Sequence, residues 1–133
     1  MGLGEPQNSK DLSHQSFSRA KYMGKPLQGQ AEISLKKPGP TIRAEHHGNI
    51  EFRRLSSKNG GMSPEIKRGF KERRLSVREC ARIQTFPDNY EFVVPDLLSA
   101  SDGYRLIGNA VPPLLSFRLA HRLEEVWPEL FKK

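Results

Sequence analysis

The chain's one cysteine, Cys80, lies in the stretch SVRECARIQTFPD, Ser76 to Asp88, and a thiol is the first group to examine for nucleophilic chemistry. The reactive form is the thiolate, which needs a cationic or helix-terminal neighbour to lower its pKa. Ser76 followed by Glu79 spells a capping box, in which the hydroxyl takes an orphan backbone N–H and the carboxylate reaches back to the cap. Val77, Cys80, Ala81 and Gln84 recur at helical spacing, Ile83 lies alongside, and Pro87 closes the element. Cys80 thus falls on the apolar stripe of a short helix, with nothing nearby to depress its pKa, and reads as a packing residue. His46 and His47 could suggest a metal. Adjacent residues point apart in a strand, however, and no further cysteine or carboxylate pattern completes a zinc site.

A second group of residues suits nucleic acid. In TIRAEHHGNIEFRR, Thr41 to Arg54, Arg43 has the geometry to donate bidentately to O6 and N7 of guanine. His47 or Asn49 can read a base edge, and Gly48 allows close backbone approach. Arg53, Arg54, Lys58, Lys67, Arg68, Lys71, Arg73 and Arg74 are candidates for phosphate contacts, which position a protein without reading sequence. Any one of them reads equally well as a solvated surface charge. Residues 1–75 hold 15 Lys/Arg against 7 Asp/Glu, and residues 76–133 hold 7 against 8, so the basic character belongs to one half. Such a half suits phosphate through counterion release, or is simply a soluble basic face.

These residues need elements to hold them, and 133 residues allow one modest core, or a small domain plus a piece that docks elsewhere. Residues 1–20, poor in aliphatics, read as a flexible lead-in. Residues 21–75 show short β-type runs at Glu32 to Leu35, Thr41 to Ala44 and Asn49 to Phe52, punctuated by Gly and Pro. Ser56 to Glu65, SSKNGGMSPE, has the composition of a hairpin turn or a linker. RRLS occurs twice, at Arg53 to Ser56 and Arg73 to Ser76; the flanking residues do not repeat, and the recurrence reads as coincidence. Residues 76–133 read as helical. GNAVPP, Gly108 to Pro113, announces a helix with Leu115, Leu119, Arg122, Leu123 and Val126 along one face, running to about Trp127 before Pro128. That stripe needs a partner surface. With no apolar run of roughly 20 residues, a polar N-terminus and a single cysteine, the chain reads as soluble and intracellular.

RRLSVRECARIQTFPDNYEF resembles the ninth conserved motif of the DNA cytosine-5 methyltransferases, and YRLIGNAVPPLLSFRLAHRL resembles their tenth, in the right order and at a suitable spacing. KPGPTIRAEHHGNIEFRRL, ahead of both, is similar to the end of that family's target-recognition domain. The resemblance runs from about Lys21 to the C-terminus. It implies an α+β fold: a small β-rich recognition region followed by helices that complete a Rossmann-like domain for S-adenosylmethionine. It also implies that Asn109, Ala110 and Val111 line the cofactor pocket, where the start of a helix offers N–H groups and a dipole suited to a carboxylate. Arg78 and Glu79 match the strongest ninth-motif positions, with structural roles implied: Glu79 in the capping box, Arg78 pairing across to the recognition region.

The family's Pro-Cys nucleophile loop, its Glu-Asn-Val segment and its Gly-rich cofactor loop have no counterpart in these 133 residues. The resemblance therefore implies a part of a methyltransferase, not catalytic alone, that binds double-stranded DNA and shares S-adenosylmethionine with a larger subunit carrying the nucleophile. A split enzyme of a restriction-modification system, cytoplasmic and working on prokaryotic nucleoid DNA, is the expectation. Met1 followed by a polar lead-in fits an independent start, while a fragment of a longer reading frame is the other explanation. A non-catalytic DNA-binding protein that kept the recognition module is the alternative from a different class.

Overall fold

The computed structural model describes residues 5–24, 30–44, 51–62 and 64–130. The fold is α+β, built from a small two-stranded sheet and four helices. In chain order these are α1 (Leu12–Gln15), β1 (Phe52–Arg54), β2 (Arg73–Arg74), α2 (Val77–Ile83), α3 (Ala100–Asn109) and α4 (Pro113–Leu130), with single 3-10 turns at Pro6–Asn8, Ser57–Asn59 and Ile66–Arg68.

Everything is arranged around α2. Ser76 Oγ accepts from Glu79 N–H at 3.2 Å, and the Glu79 carboxylate takes Ser76 N–H at 2.8 Å, so the capping box fixes the start of the helix. The helix ends in a reversal where Phe86 N–H reaches Ala81 O and Thr85 N–H reaches Arg82 O. This is the paired bonding of a Schellman motif, with Thr85 in the left-handed position. Val77 through Ala81 are all buried, so α2 is covered on every side rather than along one stripe. Cys80 belongs to the core with Ile42, Leu75, Val77, Ala81, Phe92, Tyr104 and Ile107. Its burial pushes the thiol pKa far up, which is the behaviour of a packing residue.

Burying Arg78 and Glu79 along with the apolar residues demands partners, since an uncompensated buried charge is strongly unfavourable. Glu79 receives a two-pronged Arg73 guanidinium at 2.7 and 2.9 Å. Arg78 meets Asp11, with Nε at 2.5 Å, and also donates to Pro87 O at 3.4 Å. Asp11 caps α1 through Ser13 N–H, and α1 buries Ser13 and His14 against α2. His14 Nδ1 lies 2.9 Å from Ser76 Oγ, and Ser13 Oγ accepts from Phe92 and Val93 N–H. The segment expected to be a flexible lead-in is therefore folded from residue 5 onward, held by polar contacts that its low aliphatic content does not announce. The partner of Arg78 lies in that segment, not in the recognition region.

The strands differ from expectation too. Glu32 to Leu35 contributes one parallel bridge, Glu32 to Phe52, and Thr41 to Ala44 forms no strand, although Ile42 is buried. Of Asn49 to Phe52, only Glu51 and Phe52 are described, and Phe52 opens β1. The two RRLS copies fall on β1 and β2 and lie side by side: Phe52 faces Arg74 and Arg54 faces Arg73 across a bulged antiparallel pair. Leu55 and Leu75 are both buried. The two copies are neighbours in the sheet, but the antiparallel, bulged register does not match them position for position.

Helix α3 carries a second capping box, Ser99 with Asp102, and buries Gly103, Tyr104 and Ile107. A Cβ on Gly103 would stand 2.8 Å from Val77 Cγ1, so the α2–α3 contact depends on that glycine. Tyr104 OH donates to Leu75 O at 2.6 Å.

Desolvation alone would raise the pKa of Glu79, but the hydrogen bonds and charge of Arg73 overcome it and hold the carboxyl below the usual glutamate range. Asp11 is held low in the same way by Arg78. A depressed folded pKa gives stability that is complete above the ordinary carboxylate range and is lost as pH falls through the depressed values. Urea midpoints measured on acidification should fall in that window, and Glu79→Gln should flatten the decline. Arg73→Ala, which strands the Glu79 charge, should cost about 3–5 kcal/mol in urea unfolding.

Candidate functional site

The linker between α3 and α4 is where the cofactor candidates sit. Asn109 is the last residue of α3, Ala110 is its C-cap, and α4 begins at Pro113. Asn109 and Val111 are exposed and Ala110 is half-buried. Few of the expected helix N-terminal donors are available here: Pro112 and Pro113 have no N–H, and Leu114 N–H is given to Thr85 Oγ1 at 3.0 Å. What the linker offers instead is the exposed Asn109 carboxamide, with donors and an acceptor, beside the apolar Val111. That donor set fits one wall of a pocket for a polar organic cofactor, a partial lining that other residues must complete.

Directly behind this linker runs the segment Thr41 to Ala44. A Cβ on Gly108 would stand 2.5 Å from both Arg43 C and Ala44 N. Gly108 is a glycine because the backbone of Arg43–Ala44 passes against α3 with no room for a side chain. Ile42 is anchored in the core, while the neighbouring Arg43 side chain is exposed, as base reading requires. The structure therefore brings Arg43 and Asn109 to one place. His47 and Asn49, with His46 and Gly48, lie outside the described residues.

The basic residues divide into two classes. Lys58, Lys67, Arg68 and Lys71 are exposed on the connection between the strands. Arg53, Arg54, Arg73 and Arg74 are buried. Arg54 is bound by Glu5 at 2.5 Å, Glu65 at 2.7 Å and Lys71 O at 2.7 Å, with Phe70 beneath its guanidinium at 5.0 Å. Arg53 shares Glu65 at 3.0 Å. Arg74 stacks on the Phe52 ring at 4.1 Å. Arg53 and Arg54 are turned inward to carboxylates, which corrects their reading as a phosphate-facing surface. The acids that hold Arg54, Glu5 and Glu65, lie 49 and 11 residues away, so local spacing gives no hint of the arrangement.

Sequence reasoning missed two contributors. Asp11 had a weak signal, an acidic residue followed by Ser13 at N-cap spacing. Thr85 had none, since its role depends on a left-handed backbone and on a donor 29 residues downstream. Helix α4 displays Leu115, Leu119, Leu123 and Trp127 at 46–59% exposure. It continues through Pro128 to Leu130, past the end expected near Trp127. Among the described residues, no group of three or more His, Cys, Asp and Glu is arranged to hold a metal, and no helix is long and apolar enough to cross a membrane.

The model of the C-5 cytosine-specific DNA methylase family matches residues 5–125, and the chain belongs to that family. It is similar to the type II methyltransferase M.FnuDI of Fusobacterium nucleatum, with 53% identity over 53 residues, 40% of this chain and 14% of that protein. Type II methyltransferase M.MthTI of Methanothermobacter thermautotrophicus shares 51% over 53 residues, 40% and 15% of the two chains. DNA (cytosine-5)-methyltransferase 3 of Arabidopsis thaliana shares 39% over 83 residues, 62% of this chain and 6% of that one. The matched stretches thus amount to 15% or less of these relatives' lengths. No solved structure matches. The family methylates cytosine in DNA at C5, with S-adenosylmethionine as its usual methyl donor.

Replacing a helical glycine by alanine ordinarily gains up to about 1 kcal/mol. Gly108→Ala should instead lower the urea midpoint, because the new methyl meets backbone that has no side-chain freedom to yield.

Proposed function

We propose that the chain is the C-terminal part of a DNA cytosine-5 methyltransferase of a restriction-modification system, with the nucleophilic cysteine on a second, larger polypeptide. It contributes target recognition and completes the Rossmann-like fold that binds S-adenosylmethionine. The observation that carries this reading is α4, an 18-residue helix whose Leu115, Leu119, Leu123 and Trp127 face outward. A stripe of this size is stable in water when another surface covers it, and each such side chain gains about 1.5–3 kcal/mol on full burial. Helices of an α/β domain bury such a stripe against a sheet, which is the surface that the proposed larger polypeptide would supply.

In the assembled enzyme, S-adenosylmethionine supplies the methyl group. This chain's part is to place the Asn109 carboxamide and Val111 against the cofactor as one wall of its pocket. Arg43, on the backbone that supports Gly108, reads a base edge in duplex DNA, with His47 and Asn49 proposed to read beside it. Lys58, Lys67, Arg68 and Lys71 neutralise backbone phosphates and set the register of the protein on the duplex.

Bisulfite sequencing of DNA treated with this chain, with a partner carrying the Pro-Cys loop, and with both should show cytosine methylation in the mixture alone. Leu119→Glu in α4 should abolish that activity and the co-purification of the two chains, while Arg43→Ala should weaken target discrimination and leave assembly intact. DNA binding by this chain alone together with an inert mixture would instead establish a non-catalytic DNA-binding protein.

A further inference from the structure

Thr85 has a backbone conformation that a threonine adopts only under constraint. Its φ is 64°, in the left-handed region, where a β-branched residue is a genuine outlier and glycine meets no penalty. It occupies the position of the α2 C-terminal reversal at which glycine is usual. The side chain is exposed, so burial in the core does not account for it. What the side chain does is accept Leu114 N–H, at 3.0 Å. That donor stands in the first turn of α4, directly after two prolines with no N–H of their own. Thr85 therefore supplies α4 with the capping oxygen that its own flanking sequence, Val111-Pro112-Pro113, lacks.

We propose that Thr85 is a positioning residue, a latch from the end of α2 that fixes the direction in which α4 leaves the 109–112 linker. The linker is held on one side by Gly108 against Arg43–Ala44 and on the other by this hydroxyl. The latch thereby sets both the Asn109–Val111 wall and the angle of the exposed α4 stripe. The latch itself stands on geometry; its consequence for the cofactor rests on the proposed function.

The test compares Thr85→Gly, which relieves the backbone constraint and removes the hydroxyl, with Thr85→Ser, which keeps the acceptor. In the full chain, amide hydrogen exchange at Leu114 should be about tenfold faster in Thr85→Gly and unchanged in Thr85→Ser, the size expected for loss of one helix cap. In the mixture with the larger subunit, Thr85→Gly should raise KM for S-adenosylmethionine several-fold with kcat nearly constant, and Thr85→Ser should restore it. Equal Leu114 exchange in wild type and Thr85→Gly would overturn the latch, and an active mixture whose KM ignores the substitution would overturn its consequence for the cofactor wall. If wild-type chain and partner together are inert, the enzyme reading fails on its own, and the Leu114 exchange alone decides for or against the latch.

Discussion

The buried carboxylate of Glu79 is the interaction on which the rest of this structure depends. One side chain closes the capping box of α2 and pairs with Arg73 on β2. It therefore ties the start of the central helix to the strand that precedes it, inside a volume from which water is excluded. The energetic logic is asymmetric. A satisfied pair of this kind adds little to stability compared with an apolar pair of equal volume, whereas removing one partner leaves a charge with nowhere to go. Arg78 repeats the device on the next residue, with Asp11 as its partner. Since five consecutive residues of α2 are buried, two of them charged, the helix is specified by who its partners are more than by how hydrophobic it is.

That explains which parts of the fold could be read from the sequence. The α2 start was legible because Ser76 and Glu79 satisfy each other within one turn, a purely local relation. The stripe of α4 was legible because periodicity is local as well. Within the helical reading of residues 76–133, α3 was not picked out as a separate element, although Ser99 and Asp102 carry the same capping signature, because Gly103 and Gly108 dilute its pattern; both are there for neighbours distant in sequence. Residues 5–20 were misread for a related reason. Low hydrophobicity signals disorder when a segment has nothing to bury, but this one is held by Asp11, Ser13 and His14 hydrogen-bonding to α2 and the segment after it. At the candidate site, family resemblance picked out Asn109–Val111, while the helix-terminus argument attached to them finds few donors to rest on. It presumed free N–H groups where two prolines and a threonine hydroxyl leave few.

The arginines of the paired RRLS segments carry a similar lesson about charge. An excess of cations in residues 1–75 does suit nucleic acid, but the fold divides that excess between interior and surface. Arg53, Arg54 and Arg73 build the sheet's internal ion pairs, and Arg74 packs on Phe52. The cations of residues 1–75 left at the surface are those on the connecting loop together with Lys10, Arg19, Lys21, Lys36, Lys37 and Arg43, among the described residues. Counting basic residues overstates the electrostatic footprint, and burial is what corrects the count.

The close approach of Gly108 to Arg43 and Ala44 has a consequence for how such a protein can diversify. Backbone touches backbone there, so the segment carrying Arg43 and the linker after α3 share one seam with no side chain between them. Exchanging the side chain at position 43 leaves the seam undisturbed. Inserting or deleting a residue next to it shifts the ledge on which α3 rests. Variation at this point is thereby channelled into substitution, while changes in loop length are confined to stretches farther from the seam.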